Sequence, residues 1–103
     1  MRIISRNTLI KYWKIHPDTE QPLKSWFDEM QNSFWDSPNQ LKQQFRNASV
    51  ITKKRVVFNI KGNSYRLIAD IEYKIKIIFI VWIGTHKEYD KLIVKEINYD
   101  KTG

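Results

Sequence analysis

The chain of 103 residues contains no cysteine, which removes disulfides, thiolate metal sites and thiol nucleophiles from the chemistry open to it. That composition is compatible with a reducing cytosol, and a cytoplasmic protein is expected. Glycine and proline occur three times each, and neither a glycine-rich phosphate loop nor a Walker-type motif is present. The longest apolar run, Ile75 to Ile83, is interrupted by Lys76 and is far too short to span a bilayer. No charged-then-apolar leader opens the sequence, so no membrane partner is expected. Only two histidines occur, neither inside an Asp/Glu cluster, so neither a metal site nor another cofactor is expected. No nucleophile elbow surrounds any serine.

Acidic side chains are also in short supply, 11 against 18 basic, for a net charge of +7. The excess sits in the second half: residues 1–52 carry 7 basic and 5 acidic groups, residues 53–103 carry 11 and 6. A basic field of this kind attracts polyanions, with nucleic acid the first partner to consider and an acidic protein the second. The plain alternative is a lysine-rich solvated surface.

With no repeat, low-complexity tract or linker, residues 1–103 are expected to form one domain. Arg2 to Ser5 suit a short edge strand. Ser5 or Asn7 then caps a helix carrying Leu9, Tyr12, Trp13 and His16 on one stripe, ended by Pro17. Asp18 or Thr19 caps a second helix with Pro22 in its first turn and Leu23, Trp26, Phe27, Met30 and Phe34 at helical spacing. The stretch "SPNQLKQQF" repeats the device, with Ser37 as cap and Pro38 just inside.

From Val50 onward the period changes from helix to strand. Val56, Phe58 and Ile60 alternate with Arg55, Asn59 and Lys61; after "GN", Tyr65, Leu67, Ala69 and Ile71 alternate with Arg66, Asp70 and Glu72. A two-residue Gly62-Asn63 loop pairs 60 with 65, 59 with 66 and 58 with 67, putting both apolar sets on one face. The same test on "IEYKIK" favours an odd loop centred near Lys74. It pairs Ile71 with Ile77, Ala69 with Phe79 and Leu67 with Val81, and sets Trp82 across from Arg66. Val57, Ile68, Ile78 and Ile80 then lie on the second face, which the segment after Tyr89 must partly cover. The expected class is α+β, β-α-α-β-β-β with a short C-terminal helix or strand.

These registers gather Asn59, Lys61, Arg66 and Trp82 on one face, with His86 just beyond the strand that carries Trp82. Arg66 sits between apolar neighbours, an expensive place for a cation unless it pairs with Asp70 or Glu72 or meets a visiting anion. Trp82 suits either core or a stacking platform for a base. In "THKEYD", Thr85 and Glu88 form a T-x-x-E capping box and Asp90 complements the helix N-terminus. His86 and Tyr89 are left over, and a histidine beside cations can give or take a proton. His16, before Pro17, reads as structural.

The stretch "VVFNIKGNSYRLIADIEYKIKIIFIVWIGTHKEYDKL", residues 56 to 92, resembles the HigB-type toxins of the RelE superfamily, through F-N-I-x-G-N-x-Y-R-L followed after one strand by T-H-K-E-Y-D. The resemblance implies a compact RelE-like domain, helices on an antiparallel sheet. It implies a metal-independent, ribosome-associated endoribonuclease that cuts translated mRNA by attack of a ribose 2′-hydroxyl. The implied partners are the ribosome, mRNA and a HigA-type helix-turn-helix antitoxin. The implied catalytic residues are His86, Arg66, Lys61 and Tyr89, with Arg66 and Lys61 stabilising charge and His86 and Tyr89 sharing the proton transfers. Lys53, Lys54 and Arg55 join an RNA-binding set on charge alone, with Asn59, Asn63, Trp82 and Lys87. Two rival functions remain: a toxin on the same fold that acts by binding a protein such as gyrase, and an RNA-binding module without catalysis.

Overall fold

The structure, a computed structural model, describes residues 1–98; the last five residues of the expected 1–103 domain lie outside the described residues. The class is α+β, as expected: four helices and a five-stranded mixed sheet of order β1-β5-β4-β3-β2. The strands are β1 (Arg2–Ile4), β2 (Ser49–Val50), β3 (Arg55–Ile60), β4 (Tyr65–Glu72) and β5 (Ile77–Thr85). The helices are α1 (Arg6–Ile15), α2 (Glu20–Gln31), α3 (Pro38–Gln44) and the single turn α4 (His86–Tyr89). Short 3-10 turns cover Pro17–Thr19 and Val94–Glu96. No helix among the described residues is long and apolar enough to cross a membrane.

The amphipathic helices form where their stripes demand. Leu9 of α1, Leu23, Trp26 and Met30 of α2, and Leu41 of α3 are buried against Val56, Phe58, Leu67, Ala69, Ile78 and Ile80 of the sheet. Ser37 caps α3 by accepting from the Gln40 N–H, with Pro38 in the first turn, as its sequence implies. Phe34 departs from expectation: α2 ends at Gln31, and Phe34 is 74% exposed beyond it.

The β3–β4 hairpin has the register expected from its alternation, Phe58 opposite Leu67 and Asn59 opposite Arg66. The β4–β5 pairing does not. Ile71 faces Ile78 and Glu72 faces Ile77, so the loop is the even four residues Tyr73 to Lys76. Lys76 makes it possible, adopting φ 58° while its ammonium donates to the Trp35 carbonyl at 2.7 Å and pairs with Asp36. The one-residue shift turns Ile78 and Ile80 toward the helices. A bulge then reverses it: Ala69 faces Ile80 while Ile68 faces Trp82, leaving Val81 as the extra residue. Trp82 therefore returns to the Arg66 face, but opposite Ile68; Arg66 itself faces Gly84.

The second face carries a smaller cluster, Val57, Ile68 and Val81, covered by Leu92, Val94 and Ile97. This covering by the segment after Tyr89 is the one its apolar pattern requires. Arg55 fastens that segment. Its guanidinium grips Asp70 with two 2.8 Å bonds and donates to the carbonyls of Val94 and Ile97. Arg55 is 7% exposed, so this cation, placed in the RNA-binding set on charge alone, belongs to the architecture instead.

Candidate functional site

The end of the sheet where β4 begins and β5 finishes collects the chemistry. Thr85 accepts from the Glu88 N–H at 3.2 Å, and Glu88 Oε1 accepts from the Thr85 N–H at 2.8 Å, so the expected capping box closes α4. The bonds that Glu88 Oε1 accepts from the Thr85 N–H and, at 3.0 Å, from the Thr85 hydroxyl hold its carboxyl below the usual range, with His16 and Lys91 adding to the effect. The His86 N–H donates to the Ser64 carbonyl at 3.0 Å, which ties α4 to the β3–β4 hairpin.

His86 and Tyr89, three residues apart on this one turn, are both part-exposed. His86 Nδ1 lies 3.0 Å from Asp90 Oδ2. A carboxylate there favours the proton on Nδ1, which leaves Nε2 as the nitrogen with a free lone pair. Asp90, read in the sequence as complementing the helix N-terminus, is instead the C-cap of this one-turn helix, where a carboxylate does not complement the dipole; its spacing of four from His86 is the signal for the contact it does make.

Arg66 has no acidic partner among the described residues. The carboxylates that were its expected counter-ions are taken, Asp70 by Arg55 and Glu72 by Lys54. Its guanidinium instead bonds Asn63 Oδ1 at 2.6 Å and the carbonyls of Asn63 and Tyr65 at 3.2 Å, and lies 5.8 Å from the centre of the Tyr89 ring. Asn63 thus orients Arg66, and Tyr89 supports it from beneath. The Tyr89 ring in turn lies 6.4 Å from that of Trp82. Gly84 lets Trp82 fold over the sheet: a Cβ there would stand 2.4 Å from the indole. Trp82 is thereby both a packing residue of the small cluster and a part-exposed aromatic surface.

Lys61 is placed differently from Arg66. It adopts φ 52° before Gly62 at φ 63°, and its ammonium donates to Asp18 Oδ2 at 2.9 Å. The Tyr65 hydroxyl donates to the same oxygen at 2.8 Å. The Lys61 bond and then the Tyr65 bond hold the Asp18 carboxyl below its usual range. Behind this clamp, His16 stacks on Tyr12 at 4.4 Å and meets the edge of Tyr65 at 6.0 Å. Burial, with the negative charge of Glu88 contributing, pushes the Tyr12 phenol up to about 12. Sequence reasoning missed Asp18 and Tyr65 because their contact joins residues 47 apart, which no local spacing reveals.

Of the remaining residues expected to meet RNA, Asn59 is exposed beside Arg66 across the hairpin, and Lys87 is exposed on α4. Lys53 is exposed in the turn before β3, while Lys54 is paired with Glu72 at 2.5 Å. Arg66, Tyr89, Trp82 and His86 are therefore brought together, Asn59, Asn63 and Lys87 border them, and Lys53 and Lys54 stand at the far end of β3.

A family model described as HigB_toxin, the RelE-like toxic component of a toxin–antitoxin system, matches residues 19–92. The chain belongs to this family. It is also 29% identical over 94 residues to an mRNA interferase HigB of Escherichia coli O6:H1, covering 89% of this chain and 91% of that one. The family match spans the hairpin, β5 and α4, where the T-H-K-E-Y-D motif lies. For a HigB-type toxin, membership of a toxin–antitoxin system implies an antitoxin partner.

Proposed function

We propose that this HigB-type toxin is a metal-independent endoribonuclease that cleaves translated mRNA on the ribosome and so arrests growth until its antitoxin binds. The supporting observation is Arg66: a cation oriented by Asn63, laid over Tyr89 and without a carboxylate partner among the described residues, with His86, whose Nδ1 faces Asp90, on the same turn as Tyr89. An unpaired, preorganised cation suits the charge that develops on a reacting phosphate.

In the proposed reaction the ribose 2′-oxygen bonds to the adjacent phosphorus and the bond from phosphorus to the 5′-oxygen breaks. The 2′-hydroxyl loses its proton to a base, and the departing 5′-oxygen gains one, leaving a 2′,3′-cyclic phosphate and a 5′-hydroxyl. His86, with Asp90 at Nδ1, offers Nε2 for one of these transfers. Tyr89 is the candidate for the other, a role that its contact with Arg66 supports. Arg66 holds the phosphorane oxygens. Lys61 joins it on releasing Asp18, an exchange of one carboxylate for the substrate's phosphate. Asn59, Asn63 and Lys87 contact the strand around the cut, and Lys53 adds long-range attraction.

Purified wild type and the variants His86→Gln and Arg66→Ala, incubated with ribosomes carrying a defined mRNA, test the proposal. Each variant should lose at least about 100-fold in cleavage rate, and wild-type fragments should accept kinase labelling at their new 5′-hydroxyls. Cleavage by both variants at the wild-type rate would remove this mechanism.

A further inference from the structure

β1 pairs with β5 only as far as Phe79, so past the bulge at Val81 no strand among the described residues borders the outer edge of β5. α1 runs alongside instead. Between them lies a groove of about 340 Å3, lined by Lys11, Tyr12 and Ile15 of α1 and by Val81, Trp82 and Ile83 of β5. Ile15 is 77% exposed there, and the Tyr12 hydroxyl is buried without a hydrogen-bond partner. An orphaned hydroxyl of this kind is costly, and Tyr12 itself lines the groove.

The groove is continuous with the candidate site. Trp82 belongs to both: it lines the groove and lies against Tyr89, which carries Arg66. The groove is lined by apolar and aromatic side chains, by the hydroxyl-bearing Thr8 and Tyr12, and by one exposed lysine, Lys11. A flat apolar ring with polar atoms on its edge, joined to a phosphate, matches that set. An added peptide strand matches it less well, because the bulge interrupts the edge ladder that such a strand would use.

We propose that this groove is a base-binding subsite: an unpaired base flanking the cut lies against Trp82 and Ile15, its edge meets the Tyr12 hydroxyl, and Lys11 holds the phosphate beyond it. The subsite rests on the ribonuclease reading of the Arg66 and His86 face, and it adds a determinant of where that face cuts.

Wild type, Ile15→Asp and Tyr12→Phe are compared on ribosome-bound mRNA, with every cut mapped and antitoxin affinity and melting temperature measured in parallel. Ile15 is a surface residue, so its replacement leaves the core intact, and Tyr12→Phe keeps the ring that packs on His16. Ile15→Asp should cut roughly tenfold more slowly with unchanged antitoxin affinity, and Tyr12→Phe should alter the base preferred beside the cut. Wild-type cleavage with both variants matching it in rate and preference would overturn the subsite while sparing the ribonuclease reading. Lost antitoxin affinity with unchanged cleavage would make the groove a protein-docking face and would also overturn it. Intact mRNA with wild type itself would remove the ribonuclease reading and the subsite together.

Discussion

Replacing Arg55 by methionine separates a structural cation from an RNA-binding one. The guanidinium makes two 2.8 Å bonds to Asp70 and two more to the carbonyls of Val94 and Ile97, and the side chain is only 9% exposed against 21% for Asp70. Methionine fills much of the same volume but leaves a carboxylate and two carbonyls without their donor. Removing one member of a buried pair costs about 3–5 kcal/mol, and the partial exposure of Asp70 argues for the lower end, about 3 kcal/mol. For a domain of this size that lowers the melting temperature by roughly 10–20 °C. Adding Asp70→Leu to Arg55→Met should recover more than about 1 kcal/mol, because the stranded charge is gone. Thermal melts of the four proteins of the cycle supply the numbers, and RNA binding across a salt series supplies the control. A melting temperature that hardly moves, together with a shallower salt dependence, would refute the structural assignment and put Arg55 on phosphate.

Gly84→Ala places a Cβ 2.4 Å from the Trp82 ring, so the indole must move; a loss of about 1–3 kcal/mol and reduced cleavage should follow, read by melting and by near-ultraviolet dichroism. Thr85→Ala removes the oxygen that accepts from the Glu88 N–H and should cost about 1 kcal/mol, with cleavage falling because His86 rides on the same turn. The clamp at Asp18 carries a pH signature. Its carboxyl is held low by Lys61 and Tyr65, so the clamp contributes fully above the ordinary carboxylate value of about 3.9 and is lost as pH falls through the lower folded value. Wild type should therefore melt higher than Asp18→Asn near neutral pH, the gap closing in acid; a gap that widens in acid would contradict the assignment.

Periodicity made much of this fold legible. The Leu9 stripe of α1, the α2 stripe as far as Met30, the Ser37 cap, the Phe58–Leu67 register and the Thr85–Glu88 box are all short-range patterns, and each is where its sequence puts it. The β4–β5 register is different. Ile77, Ile78, Phe79, Ile80 and Val81 are all apolar, so alternation cannot choose a face, and the choice fell to Lys76 in a left-handed conformation and to a bulge two residues before Ile83. Arg55 and Arg66 look alike in sequence, alternating cations on neighbouring strands. Only the pairing of Arg55 with Asp70 across β3 and β4 distinguishes the one that is spent from the one that is available. The Asp18 clamp needed the chain turn after α1 to be brought against the hairpin.

The most direct measurement is the mapping of mRNA 5′ ends after induced expression of wild type and His86→Gln in growing cells. Growth arrest with new ends inside translated regions, both absent in His86→Gln at equal protein level, is the result expected of a ribonuclease centred on His86 and Arg66. Arrest with intact mRNA, or the same cuts from His86→Gln, would contradict it.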